Sequence, residues 1–309
     1  MSSKVIAVIG STNMDLVALA PRIPVTGETL TGRDFFMVPG GKGANQAVAA
    51  AKLGANVLFV AKLGKDNFAE ASLENFKKVG IDTRYVEQID GVPSGIAVIA
   101  IDDNGKNSII VVPGANAKLM PKDVLDAEAD IAKAAVVVCQ LEVPLKTVEQ
   151  AAKVAKKHNI PFILDPAPVV PLSDELLAIV DVIKPNEIEA QMLTGVKVTD
   201  FQSASKAADV LFAKGVKNVM ITLGSNGFMI ATKEGRELIA NHKVKAIDST
   251  AAGDTFTGAM ACRLAAGDLL REAAIYANAA AALSVTKLGA QSSMPTKQEV
   301  DDFIASTRA

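Results

Sequence analysis

Val5-Ile6-Ala7-Val8-Ile9-Gly10 is the first in the series of short β-rich runs that decides the fold. Strand 5–9 is followed by runs at 57–63, 135–140, 161–165, 181–184 and 217–223. Between them lie helical patterns at 43–53, 66–79, 121–133, 144–158, 186–194 and 202–214. Several of these helices close on a glycine just past their last turn, namely Gly54, Gly80, Gly195 and Gly215. Strands alternating with helices are the signature of a parallel sheet covered on both faces, a doubly wound α/β architecture. The last hundred residues change character. Phe228–Ala246 reads as antiparallel strands behind an Asn226-Gly227 turn, followed by helices at 253–266, 270–287 and 297–305.

Two segments break the alternation. Residues 11–38 and 84–113 carry strand patterning and turn signals with no helix between, including Ile96–Ile101, the turn Asp102-Asp103-Asn104-Gly105, and Ser108–Val112. Antiparallel strands inserted into a parallel frame predict a small separate sheet, a β lid over a site. Their apolar alternation needs cover, and two copies can supply it to each other across a two-fold axis, so a homodimer through the lid is expected. No repeat, low-complexity tract or linker divides the chain, so residues 1–309 are expected to form one α/β domain carrying that lid.

Composition removes several functions. With 309 residues, half of them apolar, the chain can bury about 75% of its unfolded surface and needs no staple, which excludes disorder as its main state. Thirty-two basic against thirty-four acidic residues, with no basic stripe, make nucleic acid an unexpected partner. Two histidines and the lone Cys139 and Cys262 lack zinc-ligand spacing, and both cysteines read as reduced packing residues. Trp is absent and aromatics are 4%, which argues against a base-stacking platform. No apolar run reaches the ~18 residues of a membrane span, and Lys4 leads directly into the first strand without a cleavage signal, so no membrane contact and a cytoplasmic location are expected.

Four stretches can carry chemistry. Pro39-Gly40-Gly41-Lys42-Gly43-Ala44-Asn45-Gln46 places three glycines at the opening of an Ala-rich helix, either a plain loop-to-helix turn or, as polar Lys42 and Asn45 favour, a place where backbone amides and the helix dipole meet a ligand. It is not a P-loop, because Gly43 follows Lys42, nor a dinucleotide fingerprint, because the spacing fails. Asp248-Ser249-Thr250-Ala251-Ala252-Gly253-Asp254-Thr255-Phe256 sets small residues and a carboxylate at a helix start. That is either an ordinary N-cap or an anion nest beside a base that deprotonates a hydroxyl. Thr222-Leu223-Gly224-Ser225-Asn226-Gly227 follows a strand, as a ligand loop or a plain hairpin turn. In Pro185-Asn186-Glu187-Ile188-Glu189, Asn186 and Glu189 either hold Mg2+ through waters or cap a helix with an acidic first turn.

Taken in order along the chain, these four motifs resemble those of the ribokinase family of carbohydrate kinases, and Gln140-Leu141-Glu142 brings the resemblance closer to its ribose kinases than to its adenosine or fructose kinases. The resemblance implies ATP-dependent transfer of the γ-phosphoryl to the 5-hydroxyl of D-ribose, with deoxyribose or another sugar or nucleoside of the same family, or sugar binding without turnover, as alternatives. It implies that Asn13, Asp15, Gly41, Lys42, Asn45 and Glu142 bind the sugar. Ala251, Ala252, Gly253 and Asp254 would form the anion hole, with Asp254 as both base and sugar ligand. Asn186, Thr222, Gly224, Ser225, Gly227, Gly253 and Asn278 would take the ATP, and Glu189 would hold Mg2+ through water. A monovalent cation, K+ by preference, would sit among Asp248, Thr250, Ser284, Lys287, Gly289 and Ser293. The chain departs from the family at Asp165-Pro166-Ala167-Pro168, where Asn-Pro-Ala-Pro is usual. A carboxylate there would repel phosphates unless Mg2+ or Lys184 offsets it. Met14, next to Asp15, either reshapes the sugar pocket or simply packs.

Overall fold

Strand β1 (Val5–Ile9) lies inside a nine-stranded sheet, and its two-residue period feeds two separate cores. Ala7 and Ile9 join the apolar cluster on one face while Ile6 and Val8 join the cluster on the other. A strand without polar residues is what a sheet covered on both sides requires. The computed structural model describes residues 4–307. The later strands are β2 (Asn13–Leu19), β3 (Asp34–Gly40), β4 (Asn56–Gly64), β5 (Asp82–Ile89), β6 (Gly95–Ile101), β7 (Asn107–Val112), β8 (Ala134–Cys139), β9 (Phe162–Leu164), β10 (Val182–Ile183), β11 (Asn218–Thr222), β12 (Phe228–Ala231) and β13 (Arg236–Ile239). The helices are α1 (Lys42–Lys52), α2 (Asn67–Lys78), α3 (Pro121–Asp126), α4 (Glu128–Ile131), α5 (Leu145–Lys157), α6 (Asp174–Leu177), α7 (Glu187–Thr194), α8 (Phe201–Ala213), α9 (Ala252–Ala266), α10 (Leu270–Ser284) and α11 (Lys297–Thr307).

The large sheet has the order β13-β12-β11-β10-β9-β8-β1-β4-β5. It is parallel from β5 to β11, and β12 and β13 continue it as antiparallel strands. Residues of α3 to α8 pack on one face, and those of α1, α2 and α9 to α11 on the other. From β1 the chain builds outward to β4 and β5, then crosses to the opposite side of β1 with β8. The order therefore reverses between β1 and β8, and a doubly wound sheet opens a ligand crevice at the carboxyl ends of those two strands.

The lid is the second sheet, ordered β3-β2-β6-β7. Its outer pairings β2–β3 and β6–β7 are antiparallel, whereas β2 and β6 run parallel from Asn13 opposite Gly95 to Leu19 opposite Ile101. Residues 84–89, expected in the lid, instead belong to β5 on the parallel edge of the large sheet. An edge strand has a neighbour on one side only, and Asp82-Thr83-Arg84-Tyr85-Val86-Glu87-Gln88-Ile89 is polar enough to pass for a solvated hairpin strand. The expected helix 121–133 divides at Ala127 into α3 and α4. Residues 240–246 are not strand, and α10 ends at Ser284 rather than 287.

Candidate active site

The glycines of 40–43 are first of all packing residues. Gly41 precedes α1 with φ +87°, and a Cβ on Gly43 would lie 2.6 Å from the backbone nitrogen of Ser11. This close approach lets the Gly43 N–H donate to Ser11 Oγ (3.2 Å), and it adds a reason for glycine beyond the approach of a ligand. Ser11 Oγ donates to Glu142 Oε2 (2.6 Å), and the Lys42 N–H donates to the same oxygen (2.9 Å). One carboxylate thus ties the ends of β1 and β8 to the start of α1, at the reversal point of the sheet.

Asn116 fixes the orientation of Asn13. It accepts from the Thr12 N–H (2.9 Å), and its Nδ2 donates to Thr12 O (3.1 Å) and to Asn13 Oδ1 (2.7 Å). With its oxygen engaged, Asn13 is left with its NH2 as the free donor. A cavity of ≈ 700 Å³ opens here, lined by Asn13, Asp15, Gly41, Lys42, Asn45, Glu142, Thr250, Ala251 and Asp254, with Ile99, Ile109 and Val111 contributed by the lid. Met14, 4% exposed, packs in the interior and is not among the lining residues. Burial, together with Glu142 and Asp254, pushes the Asp15 carboxyl up from 3.8 to about 7.

Asp254 stands in the first turn of α9, entered through Ala251 in the left-handed region at φ 59°. Ala252 N–H donates to Ser249 O (3.2 Å) and Thr255 N–H to Ala251 O (2.8 Å), so the amides of Gly253 and Asp254 are the free donors that a helix start leaves. The Asp254 carboxylate is buried, accepting from Asn45 Nδ2 at Oδ2 (2.9 Å) and from Gln46 Nε2 at Oδ1 (3.1 Å). Burial raises its proton affinity, and Asp165 adds to this against the opposing pull of Lys42 and the two amides. Burial alone would lower the Lys42 ammonium, but Asp254, Asp165, Glu142 and Glu189 together hold it above its ordinary range. The arrangement can accept a proton from a hydroxyl and place positive charge and amides beside the oxygen that loses it.

Of the residues expected on the nucleotide side, Gly253 stands beside Asp254 at the start of α9 and the others gather elsewhere, and none of them lines this cavity. Asn186 and Glu189 form a reciprocal capping box, each side chain accepting from the other's N–H at 2.8 Å. One Glu189 oxygen stays out of that box, and burial and Asp165 raise the group's proton affinity, an environment suited to a water-bridged Mg2+. Thr222 bridges Asn186, Gly224 O accepts from Asn241 Nδ2 (2.6 Å), and Asn278 Nδ2 donates to Ala240 O (2.9 Å). Gly227 has φ +101°, and a Cβ there would lie 2.0 Å from Ile239 O. Segment 239–241 therefore gathers Gly224, Gly227 and Asn278, while Ser225 is exposed at the loop tip.

Asp248 joins the two loops expected to hold a cation. Its Oδ1 accepts from Thr250 N–H (2.9 Å) and Oγ1 (2.6 Å), and its Oδ2 accepts from Gly289 N–H (2.9 Å). Burial acts to raise this carboxyl, but these bonds outweigh it and hold the group below its ordinary range. Ser284 O accepts from Lys287 N–H (3.2 Å) and Ser293 Oγ donates to Ala290 O (2.8 Å). Lys287 Nζ pairs with Glu299 at 2.6 Å, so its ammonium is turned to α11 instead of filling the loop. No group of three or more His, Cys, Asp or Glu side chains is spaced for a metal among the described residues. A monovalent ion held mainly by carbonyls fits this donor set.

Sequence reasoning missed the buried amides Gln140, Asn116 and Gln291, and gave Gln46 no role of its own. Gln46 and Gln140 both lie inside quoted motifs, but neither motif shows that the two amides meet. Asn116 and Gln291 lie a hundred residues or more from Thr12, Asn13 and Asn45, where no local pattern betrays them.

A sequence profile described as pfkB family carbohydrate kinase matches residues 3–297. A ribokinase of Haemophilus influenzae is 46% identical over 301 residues, spanning 97% of this chain and 98% of that protein. A deoxyribokinase of Salmonella typhi is 39% identical over 305 residues, 97% of this chain and 98% of its own. The structure of Arabidopsis thaliana ribokinase complexed with ribose and ATP superposes with a TM-score of 0.92 at 34% identity, covering 98% of this chain and 99% of that one. A cavity with Asn13, Asp15, Lys42, Asn45 and Glu142 in its wall at the reversal point of the sheet, a carboxylate at a helix start beside it and a match running through nearly the whole sequence agree: this chain belongs to the pfkB family of carbohydrate kinases.

Proposed function

We propose that the protein transfers the γ-phosphoryl of ATP to the 5-hydroxyl of D-ribose, releasing D-ribose 5-phosphate and ADP. The observation that carries this reading is Asp254, a buried carboxylate with both oxygens held by amide donors, lining the cavity at the start of α9 together with Asn13, Asp15, Lys42 and Glu142. Asn13, Asp15, Gly41, Lys42, Asn45 and Glu142 bind the sugar hydroxyls. Asp254 takes the proton of the 5-hydroxyl as that oxygen bonds to phosphorus, and the bond from phosphorus to the ADP oxygen breaks. Lys42 and the backbone amides left free where Ala251, Ala252 and Gly253 turn into α9, those of Gly253 and Asp254, receive the developing negative charge.

Asn186, Thr222, Gly224, Ser225, Gly227, Gly253 and Asn278 take the nucleotide. Bound Mg2+ neutralises phosphate charge, and Glu189 is the side chain that would hold it through water. Asp248, Thr250, Ser284, Lys287, Gly289 and Ser293 supply a K+ site, largely through carbonyls, that steadies the loop leading into α9. The need for ATP makes the cytoplasm the proposed compartment.

A 2-deoxyribose acceptor is the second reading, favoured by the similarity to a deoxyribokinase. ADP release measured over D-ribose, 2-deoxyribose, fructose and adenosine separates them. A kcat/KM highest for D-ribose is expected, and polar groups left unpaired by a missing hydroxyl cost the analogue ~1–3 kcal/mol each. A preference for deoxyribose would transfer the assignment to the second reading, and no sugar-stimulated ADP release at all would reject both.

A further inference from the structure

We propose that Asp165 is a positioning residue for Asp254, acting through the Gln46 amide that the two carboxylates share. Gln46 is fully buried, and its Oε1 accepts from Gln140 Nε2 (2.6 Å). The two carboxylates only accept, so the NH2 must face them and Oε1 is left to accept from Gln140. Two hydrogens meet two acceptors, Asp165 Oδ2 at 2.8 Å and Asp254 Oδ1 at 3.1 Å. Asp165 is 3% exposed and does not line the cavity, so it reaches the reaction only through its neighbours. Its Oδ2 also accepts from Thr257 Oγ1 (3.3 Å) and faces Lys184 Nζ at 3.4 Å. Lys184, 4% exposed, is its counter-charge and lies 3.5 Å from where a Cβ of Gly253 would stand.

This places one negative and one positive group behind the base, each able to change how strongly Asp254 holds a proton. The other charged groups facing the pair are Lys42 from α1, Asp15 from β2, Glu142 after β8 and Glu189 from α7. Asp165 adds to the proton affinity of Asp254, as a like charge nearby must. An asparagine at 165 can still accept from Gln46 through Oδ1, so the substitution removes the charge and leaves Lys184 uncompensated.

The inference rests on Asp254 as the base, and the test is a pH profile of kcat for wild type, Asp165→Asn, Lys184→Gln and the double variant. Asp165→Asn is expected to move the acid limb about one unit lower, about a tenfold change in the ionised fraction at a pH on the limb. Lys184→Gln moves it higher, and the double variant returns it toward wild type. Should Asp165→Asn fail to fold, the upward shift in Lys184→Gln carries the test alone. Unmoved limbs, or shifts of the same sign in both single variants, would overturn the proposal. So would a raised Mg2+ concentration for half-activation in Asp165→Asn, which would put Asp165 on the metal. Asp254→Asn distinguishes the two levels: if it abolishes turnover while the limbs stay fixed, only the role of Asp165 falls, and if it stays active, the base assignment falls as well.

Discussion

Asp15 and Asp254 are both buried carboxylates at one cavity, and their neighbours give them different work. Asp254 accepts two amide hydrogen bonds and faces Lys42, so it is held as a ready acceptor in fixed geometry. Replacing it by asparagine keeps the packing and the sugar contacts but removes the proton acceptor. Turnover is expected to drop ~10²–10⁴-fold, the usual contribution of a positioned base, with sugar binding by calorimetry still measurable. Retention of more than a tenth of wild-type kcat would place the base elsewhere. Asp15 has burial, Glu142 and Asp254 all acting to raise it to about 7. A carboxyl raised on folding contributes stability that is present below its unfolded value near 3.8 and is lost as pH rises through about 7. Asp15→Asn should therefore stabilise the sugar-free protein more at pH 8 than at pH 5, by an amount on the order of a few kcal/mol, while weakening sugar binding. Thermal melts of both proteins at the two pH values check this, and an equal difference at both would show that Asp15 is not strained by its neighbours.

At the level of elements, the helices and the buried strands were the legible part of the sequence. Each has a period of its own, such as the alternation of β1 between two cores or the Ala-rich face of α1. Strand β5 was not legible as part of the large sheet, because half-buried edge strands and lid strands share one pattern and differ only in their partner. The loops of the site were legible as motifs, yet the tie from Ser11 and Lys42 to Glu142 and the amide chain from Gln140 through Gln46 to Asp254 were not. Such bonds join residues that only folding brings together, and a single sequence carries no local signal for them. Asp248 reaches Gly289 across 41 positions, a meeting that the family resemblance implies and no local pattern carries. That contact joins the loop before α9 to the loop after α10, and the proposed cation between them would fix the backbone that leads into α9. Turnover is accordingly expected to rise with K+ and hardly with Na+. Losing one oxyanion donor outright costs ~2.7–4 kcal/mol, so partial misorientation should cost less but remain measurable. Rates in KCl, NaCl and choline chloride at constant ionic strength decide it, and equal kcat in all three would make the contact purely structural.

The whole molecule sets a rigid two-faced sheet under a small lid whose surfaces are unequal. Ile109 and Val111 of β7 look into the cavity, yet Phe35 and Met37 of β3 and Ile110 of β7 remain 57%, 54% and 64% exposed. In the proposed dimer, apolar strands left open in this way would be matched by the same strands of a second copy, which would also close the lid edges. Sedimentation at micromolar concentration should show about twice the 32.1 kDa protomer, and substituting Ile110 by Lys should return it to that mass. A wild-type protein of protomer mass throughout would remove the dimer. The central claim is that the cavity, Asp254 and the start of α9 together phosphorylate a sugar, and the identity of the product tests it most directly. The measurement is phosphorus NMR of a reaction of the purified protein with MgATP and D-ribose in KCl. It should show ADP and D-ribose 5-phosphate appearing in equal amounts, with no ADP in the absence of sugar. ADP formed at the same rate without sugar, or phosphate found on a hydroxyl other than that at carbon 5, would contradict the account.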